Sequence, residues 1–139
     1  FKVSLYDGSF HTVDSSEMAF KIAGSMAFKK AMESCKPVLL EPIVNIEIAA
    51  PGDSMGNITG EISSRRGQVS GTDTLAGGML AIKGHAPLAE LTDFQTRLKS
   101  LTAGQGSFSI ELSHYEAVSA ALQKQLVELH AKTAHAEEV

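Results

Sequence analysis

Near the start of the chain one histidine stands among carboxylates and hydroxyls: His11 has Asp7, Asp14 and Glu17 around it, and Ser9, Ser15 and Ser16. Two kinds of chemistry fit that composition. An imidazole beside a carboxylate is the pairing of an acid-base centre, which requires His11 and Asp7 or Asp14 within hydrogen-bond reach in a deep cleft. A loop with a partly charged imidazole at His11, a stackable ring at Phe10, a hydroxyl at Ser9 and a flexible Gly8 suits RNA instead, and needs His11 exposed. Asp14 and Glu17 have a competing use as helix-capping groups. No Gly-x-Ser-x-Gly surrounds Ser15 or Ser16 to make either a nucleophile. Arg65 and Arg66 form a cation pair whose simplest reading is a solvated helix face or a complement to a helix dipole. His85, His114, His130 and His135 are too scattered to argue for a metal. Cys35, the single cysteine, can build neither a disulfide framework nor a thiolate cage within one chain.

The 139 residues suffice for one ordinary domain or two small ones. Twelve basic against 16 acidic groups leave a net charge of −4. Nonspecific polyanion affinity comes mostly from Lys and Arg at phosphates, so any RNA contact must be local. No apolar run approaches the roughly 20 residues that span a bilayer. The opening Phe1-Lys2-Val3-Ser4-Leu5 lacks the basic start and apolar run of a signal peptide and alternates like a strand already under way. A reducing cytoplasm is the expected compartment. No Gly-x-x-x-x-Gly-Lys-Ser/Thr occurs, so nothing in the chain can cradle nucleotide phosphates and it is not expected to hydrolyse GTP; with Asp14 and Glu17 used as caps, no catalytic residues are assigned.

These candidates must be positioned by regular elements. After the Asp7-Gly8-Ser9 turn, Asp14 lies three residues ahead of Glu17, a capping-box-like pair. Met18, Phe20, Ile22, Ala23, Met26, Ala27, Ala31 and Met32 then recur at three- and four-residue steps, predicting a helix over 15–35 that Lys36-Pro37 stops. Val38-Leu39-Leu40 reads as a short strand, interrupted by Glu41-Pro42 before a new alternation at Val44, Ile46 and Ile48, which puts a unit boundary at Pro42. Ser54 to Arg66 reads as a weak helix with Met55, Ile58 and Ile62 on one face and Gly67 past its end. Strand-like runs follow around an Ala76-Gly77-Gly78 turn. A helix then carries Leu88, Leu91, Phe94, Leu98 and Leu101, and a strand alternates at Phe108, Ile110 and Leu112. The order β-α-β-β-α-β over 43–114 predicts a ferredoxin-like antiparallel sheet with both helices on one face. Ser119 can cap a last helix with Leu122, Leu126 and Leu129 inward, expected to return to the first unit and to fade into a polar tail over 132–139.

Several multi-residue blocks carry a family resemblance. The stretch from Tyr6 through Lys21, with Pro37-Val38-Leu39-Leu40-Glu41-Pro42-Ile43, resembles the second half of domain IV of bacterial translation elongation factor G. Gly60-Glu61-Ile62-Ser63-Ser64-Arg65-Arg66-Gly67-Gln68 and Ala86-Pro87-Leu88-Ala89-Glu90 resemble its domain V. The resemblance implies an α+β fragment: a partial ribosomal-protein-like βαβ unit over 1–42, a ferredoxin-like domain V over 43–118, and a C-terminal helix and tail over 119–139. It further implies that the parent is a GTPase whose missing G domain takes GTP and Mg, and that the partners are ribosomal. In the family, domain IV reaches the tRNA and mRNA at the decoding site during translocation, and domain V meets large-subunit RNA and the stalk base.

By the same resemblance, His11 falls at the domain IV tip position with Ser9 and Phe10 beside it, Arg65 and Arg66 become RNA contacts, and so do Lys99 and Gln105 around the Thr102-Ala103-Gly104-Gln105-Gly106 turn. Two departures stand out. Leu91-Thr92-Asp93-Phe94-Gln95-Thr96 replaces a usual Met-Phe-Gly-Tyr-Ala-Thr, and Gln105 replaces an Arg, which removes a phosphate contact. That pattern is similar to factor G-like paralogues, serving ribosome recycling or a stress response. A stand-alone ferredoxin-like ligand-binding module is the alternative from a different class. A strand over 1–5 without its family neighbours would leave an open edge, predicting self-association of the fragment.

Overall fold

The computed structural model describes residues 1–137, with side chains placed through Ala134. The chain forms two compact units, one over residues 1–37 and one from Val38 onward.

In the first unit, residues 1–11 form no regular structure, so the strand expected over 1–5 is absent. A strand is held by hydrogen bonds to a neighbour, and no described residue offers one here. Self-association therefore cannot rest on a strand edge at 1–5, although Phe1, Leu5, Tyr6, Met18 and Met26 leave much apolar surface exposed. The Phe1 ring packs against Phe28 with centroids 5.6 Å apart. Helix α1 spans Glu17–Ser34. Its cap is Ser16 rather than Asp14: Ser16 is extended (φ −151°, ψ 165°) and its hydroxyl accepts the Ala19 N–H at 3.1 Å. Lys36, at φ 50°, and Pro37 follow the helix end.

In the second unit, β1 (Leu40–Pro51) leads through one 3-10 turn into α2 (Met55–Ser64), then β2 (Gln68–Thr74), β3 (Met79–Pro87), α3 (Phe94–Leu101), β4 (Ser107–Ala117) and α4 (Ala120–Glu137). The sheet order is β2-β3-β1-β4, with every neighbouring pair antiparallel. This is the split βαβ arrangement expected from the element order.

Pro42 does not divide β1 from a preceding strand, contrary to the sequence reading. Between Leu40 and Pro42, β1 has only β4 beside it, because its pairing with β3 begins at Ile43. A residue without an N–H is tolerated where one side of the strand is unpaired. Opposite this region β4 carries a bulge: Ile43 faces His114 and Val44 faces Leu112, leaving Ser113 as the extra residue.

Alternation along β1 sends Val44, Ile46, Ile48 and Ala50 to one face, where they meet Ile82 and Ala86 of β3, Ile58 and Ile62 of α2, and Phe94 and Leu98 of α3. The opposite face is polar, with Asn45, Glu47, Lys83, Ser109 and Glu111 exposed. Phe94 closes the core edge-on against Phe108, centroids 4.9 Å apart. The helix cover stops there. Ile110 and Leu112 share the face of Ile46 and Val44, yet they are 44% and 55% exposed.

The run read as one helix from Leu88 to Leu101 is a 3-10 turn (Leu88–Leu91) and a separate α3 starting at Phe94. At the break Asp93 leaves helical geometry (φ −106°, ψ 7°) and pairs with Arg65 at 2.6 Å. Ser119 caps α4 as expected, its hydroxyl accepting Leu122 N–H at 3.3 Å and its carbonyl accepting Gln123 N–H at 2.9 Å. Leu122 is half-buried, but Leu126 and Leu129 are exposed. The expected polar tail is helical as far as Glu137, and its last two positions lie outside the described residues.

Candidate nucleic-acid interface

The loop preceding α1 is built from short side-chain bonds. Asp7 accepts the Gly8 N–H at 2.8 Å. Ser15 braces His11 from both sides: its hydroxyl accepts the His11 N–H at 2.7 Å, and its own N–H donates to the His11 carbonyl at 3.0 Å. The backbone of His11 is thereby held while Ser9, Phe10 and the His11 ring stay in solvent. No hydrogen bond or ion pair joins the His11 ring to Asp7 or Asp14 among the described residues, and no cleft encloses them. An acid-base centre at His11 lacks both of its requirements.

At the far end of α2 the two arginines occupy different situations. Arg66 takes the left-handed position after the helix (φ 60°), where glycine is usual. The two bonds of a Schellman turn are present: Gly67 N–H donates to the Ile62 carbonyl at 2.9 Å and Arg66 N–H to the Ser63 carbonyl at 3.3 Å. Gly67 is required for room rather than for φ. A Cβ there would stand 2.7 Å from Ile62 Cγ2 and 2.9 Å from the His85 carbonyl oxygen.

Arg65 turns inward, with its side chain 12% exposed. It bridges Glu61 at 2.8 Å and Asp93 at 2.6 Å, donates to the Glu90 carbonyl, and lies 5.5 Å over the Phe94 ring. Its charge is spent inside the protein, so a phosphate could reach it only by breaking those pairs. Arg66 grips Glu41 with both terminal nitrogens, at 2.7 and 2.9 Å, and reaches Glu90 at 3.1 Å. It remains 39% exposed and can still face solvent.

Glu61 lies between Arg65 and Arg97, 3.1 Å from the latter. Burial alone would raise its pKa, but hydrogen bonds from the two arginines outweigh that and hold it below the ordinary 4.5. A carboxyl lowered in the folded state contributes stability that is present above the unfolded value and lost as pH falls through the folded one. Glu61→Gln is therefore expected to be less stable than wild type at neutral pH, with the gap closing as pH drops below 4.5. Urea unfolding across pH 3 to 7 (approximate limits set by the carboxyl range) reads this directly, and a pH-independent gap would contradict it.

The remaining two candidates do come together. Lys99 Nζ donates to the Gly104 carbonyl at 3.1 Å, tying the last turn of α3 to the loop that presents Gln105. Ala103 (φ 49°) and Gly104 (φ 84°) turn the chain, and buried Thr102 accepts the Gly106 N–H at 2.8 Å. This corner is not the Arg65-Arg66 corner. Ser54, at the start of α2, bonds the Leu101 carbonyl at the end of α3, whereas Arg65, at the end of α2, pairs with Asp93 at the start of α3. The helices run in opposite directions, so the two cation groups sit at opposite ends of the helical layer.

The sequence reading missed Glu41, Glu61, Glu90 and Asp93 as partners of Arg65 and Arg66, and Arg97 as a second partner of Glu61. The i, i+4 spacing of Glu61 and Arg65 was a usable signal. The other pairs span 24 or more residues and have no local signature.

A four-stranded antiparallel sheet in this order, with its crossover helices on one face, defines a ferredoxin-like α+β module. Residues 38–126 match the family model of the elongation factor G C-terminus, and residues 1–36 match that of elongation factor G, domain IV. The chain belongs to the elongation factor G family, as a C-terminal part of a translation elongation factor. A crystal structure of a protein from Thermus thermophilus is similar over 91% of this chain, with a TM-score of 0.74 and 39% identity. The chain spans 19% of that protein's length. Among the described residues no helix is long and apolar enough to cross a membrane.

Proposed function

We propose that this chain is the ribosome-contacting C-terminal part of a cytoplasmic translational GTPase that promotes movement of tRNA and mRNA. The observation that carries this reading is the loop at 8–11, where Ser15 braces the His11 backbone while Phe10 and His11 project into solvent. A rigid backbone presenting an aromatic ring and an imidazole lowers the ordering cost of stacking on RNA. Lys99 and Gln105 form a second RNA-facing corner, directed at large-subunit RNA, and Arg66 contributes at the opposite end of the helices. The GTP and Mg of the reaction belong to the G domain outside this chain.

The test uses the full-length parent, sedimented with 70S ribosomes and a non-hydrolysable GTP analogue, together with a translocation assay. Phe10→Ala is expected to bind ribosomes and to lose about 1–3 kcal/mol of tip interaction, the worth of one aromatic-base stack, seen as slower translocation. His11→Ala is expected to act in the same direction. Absence of ribosome binding by the wild-type parent would overturn the reading.

A second reading is favoured by the positions around Asp93 and Gln105. Asp93 serves as an anchor for Arg65, and Gln105 presents an amide where a cation would meet phosphate. Such a protein would be a factor G-like paralogue in recycling or a stress response. It would bind ribosomes in the same assay without moving tRNA. The exposed apolar residues of the first unit also support self-association of the isolated chain, which sedimentation equilibrium over a concentration series tests; a monomer at every concentration would exclude it.

A further inference from the structure

The segment that enters the sheet is held at more points than β pairing requires. Leu39 precedes β1, and both of its backbone polar groups are used. Its N–H donates to the Gln123 side-chain oxygen at 3.2 Å, across 84 residues of sequence. Its carbonyl accepts the Val118 N–H at 3.0 Å. Val118 is itself buried, 7% exposed, so the junction between β4 and α4 is a firm anchor. Two residues farther on, the Glu41 carboxylate is gripped by both terminal nitrogens of Arg66.

Immediately before this clamp the backbone changes character. Lys36 has φ 50°, a left-handed conformation that L-residues rarely adopt. It is followed by Pro37, whose ring removes one degree of freedom. The division between the two compact units falls at Pro37 and Val38. The chain is thus clamped from Leu39 onward and strained at Lys36.

We propose that Gln123 is a positioning residue, a latch that continues the β1 ladder onto Leu39 through a side-chain amide and so confines turning between the two units to the joint at Lys36. Without the latch, the flexible connection lengthens through Val38 to the N–H of Leu39, up to the Leu39 carbonyl that Val118 holds. The stakes for delivery of Phe10 and His11 to RNA rest on the proposed ribosomal role, but the latch is a property of the chain itself and is tested there.

Two readouts on the 139-residue chain separate latch from joint. The first is amide hydrogen exchange at Leu39 relative to Ile48, which is fully buried. The second is the width of the distance distribution between spin labels at Gly24→Cys, in α1, and Ser109→Cys, on the open sheet face, with Cys35→Ser as background. Gln123→Ala is expected to speed Leu39 exchange roughly tenfold relative to Ile48, the loss of one hydrogen bond of ordinary strength, and to broaden the distribution. Gln123→Glu keeps an acceptor oxygen for the Leu39 N–H and should leave Leu39 exchange near wild type. Lys36→Gly should broaden the distribution with Leu39 exchange unchanged. The proposal is overturned if Leu39 exchange in Gln123→Ala rises no more than that of Ile48, or if the distribution keeps its wild-type width. Failure of ribosome binding in the parent would leave these two readouts untouched.

Discussion

Phe94→Ala is expected to destabilise the second unit by about 3–5 kcal/mol, the usual cost of emptying a fully buried aromatic site. Phe94 is 0% exposed and stands where three parts of the unit meet. Its ring is edge-on to Phe108 of β4, packs with Ile58 and Ile62 of α2 in one cluster, and lies under the Arg65 guanidinium at 5.5 Å. Deleting it opens a cavity and also removes the ring over which the Arg65 guanidinium lies. Urea unfolding gives the value. Phe94→Leu, which keeps most of the volume, should cost under about 1.5 kcal/mol. Equal losses for the two variants would mean that the volume at this site does not matter, contrary to the packing described.

Gly84→Ala is expected to be the most damaging single-methyl change in the sheet, at about 1–3 kcal/mol or somewhat more. Gly84 lies on the inward face of β3 between Ile82 and Ala86. The bulge in β2 between Val69 and Gly71 brings the Gln68 backbone over it. A Cβ at Gly84 would run into the Gln68 carbonyl oxygen and stand 3.1 Å from Val69 Cα, all backbone atoms. Backbone cannot rotate aside as a side chain can, so the hairpin must part. Gly71→Ala is the matched control: nothing lies within 4 Å of its added methyl, and the change should be close to neutral. Similar melting shifts for the two variants would show that β2 yields freely.

How legible this was from the sequence depended on whether the determining contact was local. Alternation at Val44, Ile46 and Ile48 and the three-and-four steps at Ile58, Ile62, Phe94 and Leu98 identified the core face of the ferredoxin-like unit, because burial on a regular element leaves a periodic trace. Ser119 was legible as a cap for the same reason. The first unit was harder. Phe1, Val3 and Leu5 alternate like a strand, but alternation supplies no neighbour, and the segment stays irregular. Asp14 and Ser16 are both good caps, and only the backbone shows that Ser16 is the extended residue.

At the candidate interface, the exposure of His11 and Phe10 could be anticipated from a polar, glycine-containing loop. The difference between Arg65 and Arg66 could not. Adjacent residues at a helix end point in unlike directions, and the carboxylates that claim Arg65 include Asp93, far away in sequence. Gly67 was correctly read as marking the end of α2, but the residue that leaves the helix left-handed is Arg66. Glycine was needed one step later, where the chain passes against Ile62 and His85.

The extra residue Ser113 in β4 has a consequence for chain length. On its two sides, Leu112 faces Val44 and His114 faces Ile43, and Val44 and Ile43 are themselves adjacent in β1. Excising Ser113 would therefore leave every partner on both sides unchanged and turn an irregular ladder into a regular one. Excising Ile110 would instead shift one flank of β4 by a residue and turn its side chains to the opposite face. The middle of an ordered strand thus contains one position at which the protein can shorten without changing register. Length variation, ordinarily confined to loops, has a permitted place inside this sheet.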